Sequence, residues 1–256
     1  GGALLLHGFP GTPADMRDIS AVLVNRGWAV DAPLLPGFGQ QIAQLPTKQL
    51  SDWVTFVERK IIQMRNEYGR VVVVGHSIGA ALALIAGARV PPDAQLLMAP
   101  SWKLGGSLRG FLWPIIRLLA RRWRPLKNVN FDDVHVQQGI IRIVPDIDLS
   151  SESVRTELRQ LNVPTAFLEQ MAKLGRRTLW AAKRSNVPTQ IIQGVRDDIV
   201  QPRDTDRLAS AIKFLSDSTL VNGSHRLTDP ADGAWGKIEL AIERLVQSPG
   251  NGVTNP

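Results

Sequence analysis

Gly75-His76-Ser77-Ile78-Gly79 places a serine between two glycines, directly after four valines and before a stretch of small apolar residues. A serine hydroxyl is a weak nucleophile until a neighbouring base takes its proton. In a G-x-S-x-G pattern it is exposed by projecting from a sharp turn between a strand and a helix. Bulky side chains at positions 75 and 79 would collide with the strand and helix that flank such a turn. The pattern in this setting predicts Ser77 as a nucleophile, with the N-terminus of the following helix favouring negative charge that develops beside it. Further along, Gln193-Gly194-Val195-Arg196-Asp197-Asp198-Ile199-Val200 offers two carboxylates, and Asn222-Gly223-Ser224-His225 offers an imidazole. An alcohol, an imidazole and a carboxylate are the parts of a nucleophilic triad.

Those groups need elements that bring them to one place. Ala3-Leu4-Leu5-Leu6 reads as a buried strand running into the loop His7-Gly8-Phe9-Pro10-Gly11. Thr12 is placed to cap a helix, with Pro13 at its first position and Asp15 completing a capping box; Gly27 ends that helix after about Arg26. Residues 28–32 read as a second strand. Residues 33–47, with Pro33, Pro36, Gly37, Gly39 and Pro46, read as loop. Apolar residues at 53, 54, 57, 61 and 64 predict a helix from Ser51 to about Glu67, stopped by Gly69. Val71 to Val74 reads as a central parallel strand covered on both faces. A helix over 79–88 and strands at 96–98, 190–192 and 219–221 follow. A helix near 204–215 separates the last two strands, and a final amphipathic helix near 231–246 carries Trp235, Ile238, Ile242 and Leu245. The tail from Ser248 reads as disordered. Alternating strands and helices predict an α/β domain with a mostly parallel sheet. About 90 residues lie between Met98 and Gln190, where a crossover needs on the order of 30. The expected organisation is therefore a core over 1–100 and 187–247, an inserted helical cap over 101–186, and a tail over 248–256.

Leu4-Leu5-Leu6-His7-Gly8-Phe9, the serine pentapeptide and the two late segments together resemble the α/β-hydrolase superfamily, and within it bacterial carboxylesterases and monoacylglycerol lipases. The resemblance covers about residues 1–100 and 188–246. It implies an α/β-hydrolase fold and the chain order serine, acid, histidine. The segment around Asp197 resembles the family pattern G-x-x-D-x-x-V, with Gly194, Asp197 and Val200 in register. That favours Asp197 over Asp198, which remains the alternative. Of the four histidines, His7 and His76 belong to the two motifs and take structural or orienting roles. His135 lies in the insertion after Asp132-Asp133 as a surface residue. His225, on a loop at the carboxyl end of the sheet, is the expected base. His7-Gly8-Phe9 resembles the family's oxyanion element, so the backbone N–H groups of Phe9 and Ile78 are the expected oxyanion donors, each worth about 3–4 kcal/mol of barrier. Pro10 has no N–H and cannot serve. Strands that precede this first one in the family are absent from the sequence, which bears on one edge of the sheet.

The implied reaction is hydrolysis of an acyl ester or monoacylglycerol through an acyl-enzyme, needing no cofactor and no metal. Relatives acting on thioesters or C–C bonds, or as perhydrolases, use the same groups, and a non-catalytic ligand-binding relative is the reading from another class. Epoxide hydrolases and dehalogenases are disfavoured, because those relatives place aspartate where Ser77 stands. The 256-residue chain has no cysteine, 44% apolar and 21% charged residues, and a net charge of +7. Disulfides and thiolate metal sites are excluded, and no run of about 18 apolar residues exists to span a membrane. A reducing, cytoplasmic location is expected; Gly1-Gly2 without a methionine leaves an upstream signal open. From Pro114 to about Leu126, Leu112, Ile116, Leu119 and Trp123 share one side of a helical pattern, and Arg117, Arg121 and Arg124 share the other. Such a helix suits peripheral contact with an anionic membrane, or a cap helix packed on the core with its arginines in water. No nucleic-acid-binding motif accompanies the positive charge, so no nucleic-acid partner is expected.

Overall fold

Apolar runs of five or six residues become parallel strands, and the amphipathic segments between them become the crossing helices. A computed structural model describes residues 1–103, 122–123, 127–134, 136–137, 140, 147–160 and 163–248. In chain order the elements are β1 (Gly2–Leu6), α1 (Arg17–Val24), β2 (Ala29–Asp31), α2 (Leu50–Tyr68), β3 (Val71–His76), α3 (Ile78–Gly87), β4 (Ala94–Met98), β5 (Arg122–Trp123), α4 (Glu152–Gln160), β6 (Val163–Pro164), α5 (Thr165–Ala182), β7 (Thr189–Gly194), α6 (Pro202–Ala209), β8 (Leu215–Val221) and α7 (Trp235–Gln247). Among the described residues no helix is long and apolar enough to cross a membrane.

Six strands form one sheet in the order β2-β1-β3-β4-β7-β8, every neighbouring pair parallel. The chain runs outward from β1 to β2 and then returns to β3 on the other side of β1. Loops leaving β1 and β3 diverge at that reversal, the place where open α/β sheets hold ligands. Ala3, Leu5, Val72, Val74, Leu96 and Met98 pack on one face with Ile19 and Leu23 of α1 and Ile238, Ile242 and Leu245 of α7. Their alternate neighbours point to the opposite face, where α2 and α3 pack on the strands and on each other. All ten residues of α3 are buried, the signature of a helix covered on every side. The expected α/β-hydrolase architecture, a mostly parallel sheet flanked by helices, is the one observed.

Local differences have physical reasons. The Thr12 capping box is present, with Ala14 N–H donating to the Thr12 hydroxyl (3.3 Å) and Thr12 N–H to Asp15 (3.0 Å). Its first turn, Pro13–Met16, is 3₁₀ before α1 begins at Arg17. The stretch read as loop over 33–47 contains 3₁₀ turns from Gly39 to Thr47, closed by short-range bonds such as Gln41 N–H to Phe38 O. β8 begins four residues earlier than expected and α6 ends at Ala209. As the edge strand, β8 needs only backbone pairing with β7, so polar Ser216, Asp217 and Ser218 are accepted in it. α7 starts at Trp235 rather than 231, because Asp229 and Asp232 hold the preceding residues in turns.

By contacts the chain divides into one unit of Gly1–Leu104 with Met171–Pro256, and a second of Gly105–Gln170. Residues 171–186, expected in the insertion, thus group with the sheet. Leu174, Thr178, Ala181 and Ala182 of α5 are buried, and a side chain at Gly175 would meet the carbonyl oxygen of Trp102 at 2.1 Å. Within the second unit, Phe131, Ile140 and Leu149 form a small core with Val129, Val136, Ile147 and Leu158 around it. Arg155 donates to Leu149 O (2.6 Å) and pairs with Asp132 (2.8 Å). Most of the helix expected from Pro114 to Leu126 lies outside the described residues, with Arg117, Arg121 and Arg124, and so do His135 and the tail from 249. Residues 122–123 are not helical as expected, since they pair as β5 with β6.

Candidate active site

β3 delivers Ser77 into a turn that leaves no room for side chains at either flank. A Cβ at Gly75 would lie 2.6 Å from Ala80 Cα, and one at Gly79 would lie 2.2 Å from the carbonyl oxygen of Leu6. The two glycines let α3 start against β1 and β3. Ser77 itself has φ 55° and ψ −116°, a conformation that costs a non-glycine residue about 1–3 kcal/mol. Backbone bonds hold it there: its N–H donates to Met98 O (2.9 Å), and its carbonyl accepts from Ser101 (3.1 Å) and Ala81 (3.2 Å). Ser77→Gly removes the strain and is expected to raise the unfolding free energy by about 1 kcal/mol, or about 2–4 °C in Tm for a chain of this size. A thermal melt that falls instead would show the turn to be unstrained.

His225 arrives on the loop after β8. Its Nε2 stands 3.1 Å from Ser77 Oγ and its Nδ1 2.8 Å from Asp197 Oδ2. A carboxylate only accepts, so the ring proton sits on Nδ1 and the Nε2 lone pair faces the serine hydroxyl. Asp197 lies after β7 with its side chain fully buried. Its Oδ1 accepts from Ile199 N–H (2.9 Å) and Val200 N–H (2.8 Å). Its Oδ2 accepts from Gln193 Nε2 (2.9 Å) as well as from His225. Burial, the largest single influence, opposes ionisation. The hydrogen bond and charge of His225, with the Val200 N–H and the Gln193 amide, outweigh it and hold the carboxyl below its ordinary range. Asp198, the alternative, is exposed. The structure thus brings Ser77, His225 and Asp197 into one hydrogen-bonded row.

The loop after β1 abuts this row. A Cβ at Gly8 would lie 3.1 Å from both Ser77 Cβ and His76 Nδ1. His7 is buried with a lowered pKa, chiefly through desolvation. Its Nε2 accepts the Leu35 N–H (3.1 Å) and its Nδ1–H donates to Gly8 O (2.9 Å). Fixing that carbonyl fixes the peptide plane, and with it the direction of the Phe9 N–H on the opposite side. The Phe9 ring rests edge-on against Phe38, with centroids 5.8 Å apart. Ile78 is the first residue of α3, and its N–H has no partner among the described residues, as the first turn of a helix allows.

Sequence reasoning missed two supports. Gln193 ties Asp197 to α6, since its Oε1 accepts from the Thr205 hydroxyl (2.6 Å). Asp232 accepts from both the N–H and hydroxyl of Ser224 (2.8 Å each) and so anchors the residue before His225. A polar residue closing the otherwise apolar run Ile191-Ile192 was the available signal for Gln193. Nothing local marked Asp232.

A family model described as serine aminopeptidase, S33, matches residues 2–223. The thermostable monoacylglycerol lipase of Bacillus sp. (strain H-257) is 26% identical over 221 residues, covering 82% of this chain and 76% of that protein. A carboxylesterase of Bacillus subtilis (strain 168) is 34% identical over 89 residues, covering 34% of this chain and 36% of that protein. A crystal structure of Paleococcus ferrophilus monoacylglycerol lipase superposes with a TM-score of 0.69 at 18% identity, covering 97% of this chain and 95% of that one, a likeness of fold.

Proposed function

The chain belongs to the serine aminopeptidase S33 family of α/β-hydrolases, and from that premise we propose that it hydrolyses carboxylic esters through an acyl-enzyme on Ser77. The observation that carries the reading is the row of contacts from Asp197 Oδ2 through His225 to Ser77 Oγ, at 2.8 and 3.1 Å. His225 Nε2 takes the hydroxyl proton as Ser77 Oγ attacks the ester carbonyl. Asp197 holds the imidazole in the tautomer that leaves Nε2 able to accept, and stabilises the imidazolium that forms. The carbonyl oxygen becomes an anion facing the N–H groups of Phe9 and Ile78. His225 returns the proton to the departing alcohol, then activates water to release the acid. No step calls for a metal or cofactor.

The substrate class is a small-molecule acyl ester or a monoacylglycerol. Two relatives named as a monoacylglycerol lipase and a carboxylesterase support it. Arg117, Arg121 and Arg124, cations interleaved with the apolar residues of 112–126, support peripheral contact with an anionic lipid surface as the route to lipid esters. The test pairs a fluorophosphonate probe with a panel of p-nitrophenyl esters, monoacylglycerols, acyl-CoA and aminoacyl anilides. Wild type is expected to be labelled and to turn over the esters, and Ser77→Ala to be unlabelled. Turnover of anilides or acyl-CoA without any oxygen ester would overturn the ester assignment.

A further inference from the structure

We propose that His76 is a positioning residue: its ring holds the backbone of His225 at a fixed distance from the strand that carries Ser77. The inference rests on the reading of Ser77 and His225 as nucleophile and base. His76 ends β3, one residue before the serine, and is buried. Its Nε2 lies 2.8 Å from the backbone carbonyl oxygen of His225. A carbonyl oxygen only accepts, so Nε2 carries the proton and donates it. The two imidazoles face each other with centroids 4.9 Å apart and an interplanar angle of 46°.

The ring keeps this role throughout a catalytic cycle because it stays neutral. Burial first, and then the charge of His225, lower its pKa to about 3. When His225 takes the serine proton, His76 is not a competing base. Its unprotonated Nδ1 faces Gly8, whose missing side chain leaves the space the ring occupies. His76 therefore stands where the loops after β1, β3 and β8 meet.

The rest of the base-bearing loop is secured elsewhere. Gly223 N–H donates to Val221 O (2.8 Å), Ser224 is held by Asp232 (2.8 Å), and Arg226 N–H donates to Ser224 Oγ (3.1 Å). These bonds tie the loop to its own strand and to the turn before α7. The His76 bond ties it to the nucleophile's strand and, together with the Asp197 contact at Nδ1, places His225 Nε2 3.1 Å from Ser77 Oγ. A displacement of about 1 Å at such a contact costs on the order of 10²-fold in rate.

Glutamine and methionine have nearly the same length and volume, but only glutamine can donate to the His225 carbonyl. The experiment compares His76→Gln with His76→Met on a p-nitrophenyl ester, with a thermal melt of each protein. The expected result is kcat within about fivefold of wild type for His76→Gln and lowered about 10- to 100-fold for His76→Met, with KM within about twofold in both. Equal kcat in the two variants, at any level, overturns the proposal, and so does a loss confined to KM. His76→Phe, which keeps a ring and drops both nitrogens, replaces the methionine variant should that one not fold. A wild type that neither turns over esters nor takes the fluorophosphonate would instead remove the enzymatic reading itself.

Discussion

Ser77→Ala is expected to lower the ester-hydrolysis rate by about 10⁴- to 10⁶-fold, leaving at most the contribution of the oxyanion donors and binding. The substitution deletes Oγ, the atom that attacks and the one that faces His225 Nε2. It leaves Cβ in place against Gly8, and it leaves the backbone bonds to Met98, Ser101 and Ala81 untouched. Backbone strain at φ 55° remains as well, since alanine gains nothing there over serine. Tm should accordingly stay within about 3 °C of wild type, a change of about 1 kcal/mol or less for a chain of this size. Initial rates on p-nitrophenyl butyrate, read beside a thermal melt, check both halves. A folded variant retaining more than about 1% of the activity would mean that another group is the nucleophile.

Asp197→Asn is expected to lower kcat by about 10⁴-fold. The asparagine amide would offer N–H toward His225 Nδ1, so the ring proton would move to Nε2. A protonated Nε2 cannot accept from Ser77. Asp198→Asn, on an exposed side chain, should leave kcat within about threefold, which separates the two carboxylates directly. Stability against pH gives a second readout. In the folded protein, against the opposing effect of burial, the Asp197 carboxyl is held below its ordinary range by His225, the Val200 N–H and the Gln193 amide. The unfolded chain therefore takes up a proton there first as pH falls. Its contribution to stability is full above the ordinary carboxylate value and is lost as pH drops through the lowered one. Urea midpoints measured from pH 6 to pH 3 should fall less steeply in Asp197→Asn than in wild type. An unchanged slope would place that carboxylate outside the acid-sensitive set.

The sheet was legible wherever burial on both faces forced a run of one residue type. Val71 to Val74 lies wholly inside β3, and Ala3 to Leu6 lies inside β1. Edges were not legible for the converse reason. β8 needs little from its side chains, so Leu215-Ser216-Asp217-Ser218 gave no alternation strong enough to mark its start. Ser77 was legible because its turn demands glycine at 75 and 79 through contacts under 3 Å. The placement of Asp197 and His225 followed from chain order and motif register, and the structure sets His225 between Asp197 and Ser77. The partners of the supporting residues were hidden because they lie far away in the chain or are backbone atoms that every residue possesses. His76 donates to a backbone carbonyl and Asp232 accepts a backbone N–H, and neither interaction leaves a pattern in the residues it serves.

Ser77 and its base are 148 residues apart in the chain, and the base follows the edge strand, the last of the six to be made. Synthesis therefore delivers the alcohol long before anything able to activate it. On the proposed assignment, a nascent polypeptide stopped short of residue 225 lacks the base for Ser77. Ser77 then gains its base only when the loop after β8 docks beside it, so appearance of activity would follow formation of the sheet's edge.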